Sequence, residues 1–155
     1  SRFAGERIPE FWQLLELVKP TSLVINLELK NSINRYPGLE KAALDEIKRF
    51  GMLDRVFFSS FNHASMAQVK QLEPKAETAL LYDNVLHGTA VYARLCRADG
   101  LHPMRKTVDE ALAKECRRAG LKLRPWTVDD PKEAERLAAI GVDAIISNSP
   151  NELFA

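Results

Sequence analysis

The stretch Leu23-Val24-Ile25-Asn26-Leu27-Glu28-Leu29-Lys30 is the most informative part of this chain. As a β-strand it places its apolar odd positions on one face and Asn26, Glu28 and Lys30 on the other. A strand inside a parallel sheet is normally apolar on both faces. Three polar groups in one row, two of them charged, lose hydration at a cost unless they meet a metal, a substrate or each other. This row is therefore the first candidate functional site.

Helical and strand patterns alternate along the chain. The spacing of apolar residues predicts helices over about 9–18, 39–50, 64–72, 90–96, 108–119 and 131–140. Strand patterns fall at about 23–30, 55–61, 78–82, 99–102, 122–128 and 143–147. Six strands alternating with helices predict right-handed βαβ units and a parallel sheet.

The ends of the predicted strands distinguish an open nucleotide-binding sheet from a closed barrel. No Gly-x-Gly-x-x-Gly and no Walker-type loop follows any strand, which argues against the nucleotide folds. Polar or aromatic residues close nearly every strand instead: Glu28, Lys30, Ser59, Ser60, Tyr82, Asp83, His102, Trp126, Thr127, Ser147 and Asn148. Site residues spread over many strand ends are typical of a TIM barrel.

Composition predicts one soluble globular domain over residues 1–155. The chain is 46% hydrophobic and 28% charged, and its net charge of +1 gives no global field for nucleic acid or an anionic membrane. No apolar run reaches the roughly 18 residues of a membrane span, and no secretory leader is visible. A cytoplasmic location is favoured, although the chain begins at Ser1 rather than Met, so export stays open.

Seven motifs in order carry a resemblance to a known family. They are Asn-x-Glu-x-Lys (26–30), Tyr-Pro-Gly-Leu-Glu (36–40), Asp-Arg-Val-Phe-Phe-Ser-Ser-Phe-Asn-His (54–63), Leu-Leu-Tyr-Asp (80–83), Leu-His-Pro (101–103), Pro-Trp-Thr-Val (125–128) and Gly-Val-Asp-Ala-Ile-Ile-Ser-Asn-Ser-Pro (141–150). From about Phe3 onwards the chain resembles the C-terminal part of bacterial glycerophosphodiester phosphodiesterases. The resemblance implies a TIM barrel that hydrolyses small glycerophosphodiesters, such as glycerophosphocholine, to glycerol 3-phosphate and an alcohol, with Ca2+ or Mg2+ as cofactor.

Several family motifs are absent from this chain. Family members begin with a His-Arg-Gly strand, followed by Pro-Glu-Asn-Thr, a Glu-x-Asp strand and a second His. The missing histidines are the acid and base of the family, and the Glu-x-Asp pair supplies two of its three metal carboxylates. The resemblance therefore implies an incomplete (β/α)8 barrel of about six strands with no catalytic residue of its own, inactive by itself.

The resemblance also assigns roles to the residues that remain. Glu28 matches a metal ligand, and Lys30, on the same face, is placed to meet a phosphate oxygen. Trp126 is expected at the mouth, where the glycerol or alcohol group lies, with a core tryptophan as the alternative. Phe61 is a candidate pocket wall, although a core position explains it as well. His102 ends a strand and is a candidate substrate contact that would need a partner to act as a base.

Two functional interpretations remain open. The first is a metal-dependent phosphodiesterase to which this chain contributes one metal carboxylate and the substrate contacts. The second is a structural module without turnover, which covers its open barrel edges by self-association or with a partner chain.

Overall fold

Six α-helices and five β-strands alternate along residues 4–153, which are the residues described by the structure, a computed structural model. The elements are α1 (Phe11–Val18), β1 (Ile25–Glu28), α2 (Leu39–Phe50), β2 (Val56–Ser60), α3 (His63–Leu72), β3 (Glu77–Tyr82), α4 (Thr89–Leu95), β4 (Gly100–Pro103), α5 (Glu110–Ala119), β5 (Lys122–Leu123) and α6 (Pro131–Ile140). Phe3, where the family resemblance begins, lies outside the described residues.

The five strands form one parallel sheet in sequence order, β1-β2-β3-β4-β5. Such an order never reverses, so each right-handed crossover places its helix on the same face of the sheet. A doubly wound sheet, by contrast, reverses its order and carries helices on both faces. The arrangement is that of a TIM barrel that is not closed, which confirms the predicted fold class.

The two faces of the sheet differ in chemistry. The helix-covered face contributes Phe58 and Leu80, which pack with Ile47 and Met66 of the helices in the hydrophobic core. Complete burial of each such side chain stabilises the fold by about 1.5–3 kcal/mol. The opposite, concave face carries the polar row predicted for β1, and there the Ser59 hydroxyl donates a hydrogen bond to Asn26 Oδ1 at 2.9 Å.

The prediction of six regular strands was wrong for the last one. Residues 143–147 do follow β5, since Asp143 N donates to the Leu123 carbonyl and Ile146 N donates to the Pro125 carbonyl, both at 2.9 Å. They form no regular strand, however, and β5 itself is only two residues long. Pro125 explains part of this shortening because it lacks the N–H that a regular ladder needs.

The strand β1 is also shorter than predicted. It spans Ile25–Glu28, whereas Leu23 and Val24 lie outside it and are exposed. Within the described part of the chain β1 has a neighbouring strand on one side only, so its other edge has no strand partner. No helix among residues 4–153 is long and apolar enough to cross a membrane.

Candidate active site

Three of the predicted site residues meet in one open pocket of about 360 Å³, lined by Glu28, Lys30 and Phe61 with the loop that follows β1. We call it the Lys30 pocket. Parallel strands bring their carboxyl ends to the same edge of a sheet, which is why the end of β1 and the residue after β2 face each other here. Both charged side chains are exposed, because β1 is an edge strand of an open sheet.

An aromatic contact joins a fourth predicted residue to this pocket. The rings of Phe61 and Trp126 pack edge to face, with centroids 5.6 Å apart and an interplanar angle of 82°. The Trp126 indole N–H donates to the main-chain carbonyl of His102 at 2.7 Å, which fixes the orientation of the indole. Phe61 itself is 44% exposed, so it is a surface wall rather than a core residue.

The structure does not bring the imidazole of His102 to the Lys30 pocket. The side chain is 0% exposed, neither ring nitrogen has a hydrogen-bond partner, and the ring packs edge to face against Phe57 with centroids 5.8 Å apart. Burial and, to a smaller extent, the nearby Arg124 cation lower the pKa of His102 to about 3. The imidazole is therefore neutral at ordinary pH, and its role as a substrate contact stays a prediction.

An ion pair on the concave face was not predicted. Arg124 Nη2 donates to Glu77 Oε1 at 2.5 Å, and the guanidinium lies over the Phe57 ring at 4.2 Å from its centroid. The sequence does show Arg124 two residues before Trp126 on the same strand face. It gives no signal for Glu77, which is 47 residues away along the chain.

A second group missed by the sequence analysis lies behind the Lys30 pocket. We call Asn31, Glu40 and Ser65 the Asn31 cluster; all three side chains are buried and hydrogen-bonded to one another. The only sequence signal was the position of Glu40 at the end of the Tyr-Pro-Gly-Leu-Glu motif, which was noted without a structural role.

The described residues do not form a complete metal site. Residues 4–153 contain no group of three or more His, Cys, Asp or Glu side chains placed to hold a metal ion, and Glu28 is the one carboxylate that lines the Lys30 pocket. Ca2+ takes about six to eight oxygen ligands and Mg2+ requires near-octahedral coordination. One carboxylate does not meet either requirement.

An open sheet of parallel strands in sequence order, with charged and aromatic side chains at its carboxyl end, places the chain in the TIM-barrel class. The family model of the glycerophosphoryl diester phosphodiesterase family matches residues 1–152. The chain belongs to this family, as the sequence motifs predicted.

The relatives and solved structures agree with this assignment. A glycerophosphodiester phosphodiesterase of Caldanaerobacter subterraneus subsp. tengcongensis is 38% identical over 154 residues, which are 99% of this chain and 63% of that protein. The crystal structure of a glycerophosphodiester phosphodiesterase from Parabacteroides distasonis superposes with a TM-score of 0.85 at 27% identity, and covers 96% of this chain and 63% of that one. For an Oleispira antarctica phosphodiesterase solved with the product sn-glycerol-3-phosphate, the TM-score is 0.82 at 24% identity, with 94% of this chain and 60% of that chain covered.

The alignments cover nearly all of this chain but only part of each relative. The chain is matched almost completely, yet it spans 63% of the length of the Caldanaerobacter relative. The sequence contains neither the His-Arg-Gly motif nor the Glu-x-Asp motif that the family resemblance implies.

Proposed function

We propose that this chain contributes the phosphate-binding side of a glycerophosphodiester phosphodiesterase active site, which hydrolyses substrates such as glycerophosphocholine to glycerol 3-phosphate and an alcohol. The observation that carries the proposal is the shared lining of the Lys30 pocket by Glu28, Lys30 and Phe61. An ammonium group and an aromatic wall in one pocket match a ligand with an anionic end and a short carbon skeleton. The product complex of the Oleispira enzyme, which has the same fold, is consistent with such a ligand.

The residues of this chain have different tasks in the proposal. Lys30 binds a phosphate oxygen, and its positive charge stabilises the negative charge that develops on the phosphoryl group during displacement. Phe61 and Trp126 pack against the glycerol carbons and set the direction in which the leaving alcohol points. Proton transfer is not assigned to any described residue, because the one histidine on the concave strands, His102, is buried without a partner.

We further propose Glu28 as one ligand of a divalent cation, Ca2+ or Mg2+. Such an ion would supply additional positive charge at the phosphate. Since the described residues provide a single carboxylate for it, the remaining ligands would come from outside these residues, and no step of the reaction is derived through the ion. For the same reason we expect this polypeptide alone to hydrolyse no glycerophosphocholine in the presence of either cation.

The proposal is tested by an NMR titration of the isotope-labelled chain with sn-glycerol 3-phosphate. We expect shifts at Lys30, Phe61 and the Trp126 indole N–H. Replacing the amine by Lys30→Met should weaken binding by about tenfold, since a charged hydrogen bond to phosphate is lost. Lys114→Met, which removes an exposed charge on α5, is the matched control and should leave binding unchanged. Equal loss of affinity in both variants, or shifts confined to other surfaces, would contradict the proposal.

A second candidate function is a self-associating structural module. The observation that favours it is an apolar groove of about 630 Å³ beside the open edge of β1, lined by Phe11, Trp12, Leu27, Tyr36 and Leu39 among others. Exposed apolar grooves of this kind mark interaction surfaces. Glu28, Leu29 and Lys30 line both the groove and the Lys30 pocket, so a chain docked in the groove would lie next to the proposed phosphate site.

A further inference from the structure

The segment that carries Lys30 is held by buried side chains rather than by a strand ladder. Regular pairing of β1 ends at Glu28, two residues before Lys30. The next residue, Asn31, is 2% exposed although it lies in a loop. Its Nδ2 donates to Glu40 Oε1 and to Ser65 Oγ, both at 3.0 Å, so the side chain is anchored to α2 and α3 at once.

In the Asn31 cluster, each of the three side chains is hydrogen-bonded to the other two. The Ser65 hydroxyl donates to Glu40 Oε1 at 2.5 Å, so that one carboxylate oxygen accepts from both of the other members. On the other side of the amide, Asn31 Oδ1 lies 3.4 Å from the Ser60 oxygen, whose one hydrogen is donated to the Leu29 carbonyl at 2.6 Å. The two N–H groups of Asn31 Nδ2 both have acceptors, Glu40 Oε1 and Ser65 Oγ, and these bonds set the orientation of the amide.

The main chain on both sides of Lys30 is held as well. The Ser60 hydroxyl donates to the Leu29 carbonyl at 2.6 Å, and Asn62 Nδ2 donates to the Asn31 carbonyl at 3.4 Å. The Leu29 N–H donates to the Ser59 carbonyl at 2.8 Å. The residues before and after Lys30 are thus fixed to β2 and to the start of α3, while the lysine side chain itself is free to reach the pocket.

Stability alone does not account for a carboxylate at this place. Glu40 is 6% exposed and forms no ion pair among the described residues. Its position in the first turn of α2 favours negative charge, but a buried carboxylate still costs more than an apolar side chain of similar size. What the carboxylate adds is directional hydrogen bonding, which specifies one geometry for the groups that it binds.

We propose that Glu40 and Asn31 are positioning residues, which fix the main chain at Lys30 so that its ammonium group faces the phosphate. The inference rests on the proposed function, because it assigns to these residues a task at the same site. Neither residue touches the ligand. Their effect acts through the backbone of residues 29–31.

The test compares two replacements of Glu40 with a core variant on the same helix. Glu40→Gln keeps an acceptor oxygen, whereas Glu40→Leu keeps the volume and removes the acceptor. Ile47→Ala opens a cavity in the core without touching the cluster. Affinity for sn-glycerol 3-phosphate is measured by NMR titration, and the melting temperature is measured for each variant.

We expect Glu40→Leu to weaken binding by about tenfold and to lower the melting temperature no more than Ile47→Ala does, because it leaves the Asn31 and Ser65 donors without their Glu40 acceptor. Glu40→Gln should restore affinity to within about threefold of the wild type. Ile47→Ala should lower the melting temperature and leave affinity unchanged. The inference is overturned if Glu40→Leu binds as tightly as the wild type, or if affinity follows melting temperature across all three variants.

A backbone measurement separates this inference from the proposed function. If the wild-type chain binds no sn-glycerol 3-phosphate, the proposed function fails. Amide order parameters of residues 29–31 still decide the positioning role. Glu40→Leu should lower them at these residues and not in β3, whereas unchanged order parameters would overturn the inference.

Discussion

At the scale of single residues, the concave face of the sheet combines exposed and buried polar groups. Glu28 and Lys30 remain in water at the pocket, where a ligand can reach them, whereas His102 is completely enclosed a short distance along the same face. The buried imidazole of His102 packs against Phe57, and neither ring nitrogen has a hydrogen-bond partner. Protonation of this ring is therefore expected to lower the stability of the folded chain.

Protonation of His102 should make folding depend on pH. Burial lowers its pKa to about 3 in the folded chain, whereas an unfolded histidine has a pKa of about 6.5. The unfolded state binds the extra proton between these values, so stability falls as the pH drops below about 6.5, by up to about 1.4 kcal/mol per pH unit. The slope is obtained from the free energy of unfolding, measured by chemical denaturation at steps of about half a pH unit between pH 4 and 8.

The matched variants isolate the contribution of this residue. His102→Leu removes the titrating group without breaking a hydrogen bond, because neither ring nitrogen has a partner, and should flatten the profile. His87→Gln, at an exposed loop position, should leave it as in the wild type. A His102→Leu profile as steep as the wild-type one would show that His102 is not the group responsible.

Residues within one strand could be predicted from the sequence, whereas pairs between elements could not. Alternation along 23–30 predicts Glu28 and Lys30 on one side of a strand, and both line the Lys30 pocket, although Lys30 lies beyond the end of β1. The pairing of Glu77 with Arg124 and of Asn31 with Glu40 depends on how strands and helices pack in three dimensions. Nothing in the local sequence of either member indicates its partner.

At the scale of elements, the end of the last extended segment, residues 147–148, is held by the carboxylate of Asp129, beyond the main-chain bonds of residues 143 and 146. Asp129 Oδ1 accepts from Asn148 N at 2.7 Å and from the Ser147 hydroxyl at 3.0 Å, while Oδ2 accepts from Asn148 Nδ2 at 2.9 Å. The Asn148 N–H and amide, followed by the Ser147 hydroxyl, keep the pKa of Asp129 below its ordinary value. The Asp129 side chain thus links the loop after β5 to residues 147–148.

Removal of the Asp129 carboxylate should release this segment. In Asp129→Ala we expect faster hydrogen exchange at the Asn148 amide, with little change in β2 and β3, because only the local contacts are lost.

Acid should also weaken the contacts of the Asp129 carboxylate. They are complete above a pH of about 3.9, the ordinary pKa of Asp, and they weaken as the pH falls through the lowered pKa of Asp129. Glu135→Ala on α6, at an exposed position, serves as the control. Unchanged exchange at Asn148 would refute the role of Asp129.

The alternation of elements was predictable, but the lengths of the strands were not. Helical periodicity placed all six helices within a few residues, and α6 begins at Pro131 and ends at Ile140 as predicted. Strand length depends on neighbours. Residues 143–147 have a strand pattern and still form no regular strand in the described structure, because Pro125 in the neighbouring segment lacks the N–H that regular pairing needs.

At the scale of the whole molecule, the described sheet is an open part of a barrel with an uncovered edge. Leu17 on α1 is 72% exposed, and Val24, just before β1, is 58% exposed. Phe11 and Trp12 of α1 and Leu27 of β1 line the apolar groove. An edge strand with apolar neighbours is a template for association with another chain.

We expect this polypeptide to self-associate in a concentration-dependent manner in sedimentation velocity. Val24→Lys places a charge at the open edge and should shift the equilibrium towards monomer, whereas Leu95→Lys, at an exposed position on α4, should not. A wild-type chain that stays monomeric and well dispersed at all concentrations would count against the structural-module candidate.

The central claim is that Lys30 and its aromatic neighbours receive the phosphate and the glycerol of one ligand. A crystal structure of the chain with sn-glycerol 3-phosphate at saturating concentration tests it most directly. The account predicts a phosphate oxygen within hydrogen-bonding distance of Lys30 Nζ and glycerol carbons against Phe61 and Trp126. Phosphate bound elsewhere, with the Lys30 ammonium turned away from it, would contradict the account.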